Sequence, residues 1–252
     1  MQMLSDPAFW IAVGQIIMID ILLGGDNAVV IALACRRLPP ALRLKGILWG
    51  TAGAIVLRVV LIFFALTLLA IAFLKIVGAV LLVWIGIKLL APDEEGHGDI
   101  AASDKLWAAV KTIIVADLVM SVDNVIAIAG AAQGSGQHQM VLVIFGLLVS
   151  IPVIVWGSQL VIKLMDRFPA IITAGGMLLG WIAGAMAVTD PAIVPYMPLV
   201  GQAVEGQLPQ VVAGVRYGAG VSGALLVLAI GLLAKRRRAA SAAAAVAASN
   251  GH

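Results

Sequence analysis

The chain has 252 residues, of which 62% are hydrophobic and 12% charged, with a mean hydropathy of +1.10. Soluble domains carry about 25% charged residues, so this composition excludes an ordinary soluble fold. The net charge of +3 and pI near 9.2 do not point to nucleic acid, because the cations flank apolar runs, where they set orientation in a lipid bilayer.

A helix crossing a bilayer needs about 20 predominantly apolar residues. Seven stretches qualify: 8–34, 43–70, 72–91, 107–131, 138–163, 170–188 and 217–234. The first has no basic leader, and its apolar run is longer than a signal-peptide core, so it reads as a permanent span. The second and third are almost contiguous, which predicts a tight hairpin. Residues 92–106 form an acidic, glycine-containing loop. Residues 189–216 form the longest connection and carry Pro191, Pro195, Pro198 and Pro209. After the last span comes a basic, alanine-rich tail, 235–252, read as disordered from Ala239 onward. The single cysteine, Cys35, excludes a disulfide framework and reads as a small packing residue.

Thirteen of the 16 basic residues fall in alternate connections: Arg36, Arg37, Arg43, Lys45, Lys88, Lys105, Lys111, Lys163, Arg167 and Lys235 to Arg238. Only Lys75 and Arg216 fall on the opposite side. By the positive-inside rule the amino terminus faces out and the carboxyl terminus faces the cytoplasm, in a multi-pass protein of a bacterial inner membrane.

An offset of 97 residues lays the first half of the chain on the second. Asp20 then falls on Asp117, Asp26-Asn27 on Asp123-Asn124, Gly78 on Gly175, Leu81-Leu82 on Leu178-Leu179, and Trp84-Ile85 on Trp181-Ile182. Each unit (1–91 and 107–188) holds three spans. An odd number forces the units into opposite orientations, so the fold expected is an all-α membrane protein: a 3+3 inverted repeat with a seventh helix added. Transporters built this way bind their ions near the bilayer midplane, where the repeats meet. Inversion puts Asp20 level with Asp123, and Asp26 level with Asp117. Within one helix the paired aspartates are about 9 Å apart along the axis and about 120° apart in azimuth. Gly24, Gly25 and Ser121 are therefore where the helices are expected to loosen.

A carboxylate at the centre of a span costs about 2.5–3.5 kcal/mol or more. Arg58 is the only cation deep enough to help, and one guanidinium cannot neutralise four aspartates. A divalent cation, with one or two protons, could. Asp20, Asp26, Asp117 and Asp123, with the amides of Asn27 and Asn124, make an all-oxygen set suited to a hard ion such as Mg2+, Mn2+ or Ca2+. Met18 and Met120 lie close by and could add soft ligands. His97 and His138 sit in loops and His252 in the tail, so none is expected to bind metal.

The motifs Met18-Ile19-Asp20, Gly24-Gly25-Asp26-Asn27 and Asp117…Ser121-Val122-Asp123-Asn124 resemble the TerC family of integral membrane proteins, over nearly all of residues 8–234. The resemblance implies Mn2+ as cargo, export as direction, and the acidic residues of the first and fourth spans as ligands. It also implies supply of metal to exported proteins, which keeps a second expectation open: a non-transporting partner of the secretion machinery with a static metal site. An intramembrane aspartyl protease also needs two aspartates on different helices. The duplicated pairs exceed that need, and Leu23-Gly24-Gly25-Asp26 departs from the G-x-G-D pattern of such enzymes. No enzymatic activity is expected.

Overall fold

The computed structural model describes residues 10, 14, 18, 25–64, 68, 71–91, 102–132, 139–199 and 211–249; side chains in 123–132, 139–143 and 237–249 lie outside the description. Seven α-helices occur among the described residues: α1 (Gly25–Cys35), α2 (Pro40–Phe63), α3 (Leu74–Leu90), α4 (Ala102–Ala132), α5 (Gln139–Arg167), α6 (Ala170–Ala187) and α7 (Ala213–Ser249). A 3-10 turn, Val194–Tyr196, and one antiparallel bridge, Leu199 with Val211, punctuate the long connection, and no strand occurs among the described residues.

Four helical segments are long and apolar enough to cross a membrane: Pro40–Phe63, Ile144–Arg167, Ala170–Ala187 and Ala213–Arg236. Large apolar side chains point away from the bundle, among them Trp49, Val56 and Phe63 on α2, Trp84 on α3, and Trp156 and Leu160 on α5. Such an apolar exterior is costly in water and suited to lipid. The interior is filled by Leu33, Ile47, Leu82, Ile85, Ile113 and Leu179, each almost fully buried.

Glycine lets these helices approach closely. On α2, a Cβ at Gly50 would fall 2.5 Å from Ile113 of α4, and one at Gly53 2.5 Å from Ile114. The same face of α2 carries Arg58, so the glycine stripe sets the distance at which that side chain meets α4. Helices α3 and α6 run antiparallel: Lys75 lies at Thr189, while Gly86 faces Gly176 and Leu179. Gly78 of α3 also packs on Val119 of α4, and Gly175 of α6 on Val29 and Leu33 of α1. Helix α7 lies against α6 at near backbone contact, with a Cβ at Gly184 falling 2.0 Å from the Ala219 carbonyl oxygen. Small residues four apart, Gly180 and Gly184 on one helix and Ala219 and Gly223 on the other, are the pattern that lets membrane helices touch.

Three expectations need correction. Helix α2 ends at Phe63 rather than near residue 70, with Leu68 helical again beyond it and Ile71 to Phe73 forming the short turn into α3. The apolar run continues to Ala70, and hydropathy alone cannot show where helix stops within it. The tail from Ala239 to Ser249 is helical rather than disordered, in keeping with the high helix propensity of alanine. Helix α4 runs unbroken from Ala102 to Ala132, so no loosening occurs at Ser121.

Both ends of α3 are tied by other segments. Phe73, its N-cap, has φ 68, a strained backbone for an aromatic residue. The fully buried carboxylate of Asp190 accepts from the Phe73 amide at 2.9 Å, the Lys75 amide at 3.0 Å and the Ile76 amide at 3.3 Å, and from its own neighbour Ala192 at 2.8 Å. Burial pushes the Asp190 carboxyl up, but these four amides outweigh it and hold it below the usual carboxylate range. At the other end, Arg36 donates to the Leu89 carbonyl at 3.2 Å, and Arg37 to the carbonyls of Lys88 and Leu89 at 3.2 Å each and to that of Ala91. Acid at the amino end and arginine at the carboxyl end both complement the helix dipole.

Candidate metal centre

The site is built where α1, α2 and α4 meet. Asp26 and Asn27 stand on α1, Arg58 on α2, and Asp117 and Ser121 one turn apart on α4. Arg58, Asp117, Ser121 and Asn27 are all buried; Asp26 is partly so.

Arg58 donates through Nη2 to Oδ1 of Asp117 and through Nε to the Ser121 hydroxyl at 3.1 Å. The hydroxyl in turn donates to Oδ2 of Asp117 at 3.0 Å. A serine four residues after the aspartate is set over it by the helical repeat. Both oxygens of Asp117 are thus engaged, and the guanidinium is planar, oriented and charge-matched. Asp26 lies near enough to feel the charges of both Asp117 and Arg58, and its Oδ1 accepts from the Asn27 amide at 2.9 Å. One guanidinium therefore stands near two acids and is paired with Asp117.

Among the described residues of α1 and α2, two side chains are buried without a hydrogen bond. Neither the Nδ2 nor the Oδ1 of Asn27 makes a hydrogen bond, and neither does the Thr51 hydroxyl. Leaving such a group unsatisfied costs about 1–3 kcal/mol. Thr51, outside the site, was not anticipated as a buried polar residue, although its place two helical turns before Arg58 puts both on one face of α2. Asp190 was also missed, since it is recognisable only when α3 and the end of α6 are seen together.

Of the remaining expected residues, Asp20 and Gly24 lie outside the described residues. Asp123 and Asn124 are in α4, with side chains outside the description. Gly25 is helical, and a Cβ there would meet nothing within 4 Å. Met120 is buried in the core, whereas Met18 is 58% exposed, an exposure that a ligand to a buried ion would not have. Among the described residues no three or more His, Cys, Asp or Glu side chains cluster as metal ligands.

Comparison with known proteins agrees with the sequence resemblance. The profile of the integral membrane protein TerC family matches residues 5–239. The chain is similar to the uncharacterized membrane protein YjbE of Bacillus subtilis, 44% identical over 194 residues, which are 77% of this chain and 86% of that protein. It is also similar to YceF of the same organism, 29% identical over 74% of each chain, and to the inner membrane protein YgdQ of Escherichia coli, 24% identical over 67% of this chain and 76% of that one. No solved structure matches. The chain belongs to the TerC family of integral membrane proteins.

Proposed function

We propose that the protein is a secondary transporter that exports a divalent cation across the bacterial inner membrane, with Mn2+ as the cargo the family resemblance implies. The observation that carries this reading is Asp26 within electrostatic reach of the buried Arg58–Asp117 pair, beside the buried and unpartnered side-chain amide of Asn27. An uncompensated negative charge in an apolar bundle is costly, and an amide with unspent oxygen is suited to a hard cation. Asp20, Asp123 and Asn124 would complete the ligand set.

In this reading the two three-helix units are inverted repeats with the amino terminus outside, and alternating access comes from one unit rocking against the other. Support comes from the antiparallel run of α3 and α6, which the 97-residue offset makes equivalent. It also comes from the way each of them packs on the first helix of the other unit, through Gly78 and Gly175. Closely spaced carboxylates share protons as coupled sites, which would provide a route for proton exchange against metal.

The test is Mn2+ flux in sealed proteoliposomes. Asp26→Asn and Asp123→Asn are each expected to abolish it. Wild-type flux in both variants rules out the carboxylate site on which this reading rests, and metal binding without flux in the unaltered protein rules out transport and leaves a static site serving another protein.

A further inference from the structure

A cavity of about 300 Å3 lies at the end of the bundle where Arg36 and Arg37 cap α3, and none of Asp26, Arg58 and Asp117 lines it. It is enclosed by the segment after α1, the end of α3, the start of α6 and the late turns of α7. Two cations, Arg36 and Lys235, line it, and among the described residues none that lines it is acidic. The amino terminus of α6 opens onto it at Pro169 and Thr173. That terminus has no side-chain cap and no acid in its first turn, so the positive end of its dipole is uncompensated there.

The opposite wall is apolar, formed by Leu228 and Leu232 of α7. Leu232 is 46% exposed, and the next residue, Leu233, is 54% exposed. The cavity therefore opens sideways onto the surface that meets the acyl chains, while its charged end lies at the basic rim. A soluble anion would have no use for the leucine wall, and an apolar molecule would have none for the cations.

From this combination we infer a binding site for an anionic phospholipid, phosphate toward Arg36, Lys235 and the α6 terminus, with one acyl chain along Leu228 and Leu232. Basic pockets between membrane helices near the surface hold acidic headgroups in this way. The site is independent of the transport reading.

The experiment uses the full-length protein in detergent, titrated with dioleoylphosphatidylglycerol, dioleoylphosphatidylcholine or glycerol 3-phosphate, with thermal unfolding and native mass spectrometry as readouts. Phosphatidylglycerol is expected to raise Tm and to remain bound, and the other two to do neither. Lys235 is exposed, so Lys235→Gln should leave the lipid-free Tm unchanged while weakening phosphatidylglycerol about fivefold. Leu232→Glu should weaken it further, and Lys163→Gln, outside the cavity, should not. An equal effect of phosphatidylcholine, an equal effect of glycerol 3-phosphate, or full phosphatidylglycerol binding by both cavity variants would each overturn the proposal.

Discussion

Arg58 on α2 and Asp117 on α4 form an ion pair whose side chains are 3% and 6% exposed, bridged by the Ser121 hydroxyl in a face of the bundle built largely from glycine and aliphatic residues. Removing one partner of such a pair strands a charge in low dielectric, which costs about 3–5 kcal/mol, whereas replacing both with apolar groups is often neutral. Arg58→Met and Asp117→Leu should therefore each destabilise by that amount, and the double variant by much less. Chemical unfolding in mixed micelles gives the cycle. Near-additive losses would mean that the pair adds nothing beyond its separate members.

Asn27 and Thr51 are both buried without hydrogen bonds, but only Asn27 adjoins a site acid. Thr51→Val removes an unsatisfied hydroxyl at nearly constant volume and should stabilise by about 1 kcal/mol, leaving Mn2+ flux intact. Asn27→Val should also raise the unfolding midpoint, but at the expense of flux. A loss of stability on Asn27→Val would show that the amide has a partner in the folded protein after all.

The contact between α6 and α7 leaves no room for side chains. Gly184→Ala would push a methyl to 2.0 Å from the Ala219 carbonyl oxygen, and overpacking of this kind costs about 1–3 kcal/mol. Gly218→Ala, on the same helix pair but with nothing within 4 Å, should instead stabilise by up to about 1 kcal/mol through helix propensity. Differential scanning fluorimetry of the two variants separates packing from propensity.

Asp190 makes stability acid-sensitive. Its folded carboxyl lies below its unfolded value of about 3.9. The stabilisation it gives is complete above that unfolded value and is lost as pH falls through the folded one. Asp190→Asn should cost about 2 kcal/mol at neutral pH and flatten the stability profile in acid. An unchanged acid limb in the variant would assign the sensitivity to other groups.

Much of this was legible in the sequence because it depends on composition and period. The apolar runs located the helices, and an aspartate that recurs at a fixed offset singled out α1 and α4, which bring Asp26 and Asp117 near one another. Arg58 stood out as a lone cation in an apolar run, and its partnership with an aspartate followed from charge alone. What depends on tertiary proximity was hidden. Asp190 reads as a loop residue until the start of α3 is brought to it, 115 positions away. Thr51 reads as filler until its helix face is seen to be closed by packing. Helix ends inside uniformly apolar or alanine-rich stretches, at Phe63 and beyond Ala239, have no polar signal to mark them.

The clamping of α3 has a mechanical consequence. Sliding this rod along its own axis by a single turn would sever the amides from Asp190 and the carbonyls from the two arginines at once. A piston stroke is therefore opposed at both ends, and tilting or pivoting costs fewer of these bonds. Helix α3, held by the segment after α6 at one extremity and by the segment after α1 at the other, is the natural fulcrum about which the rest of the bundle could swing.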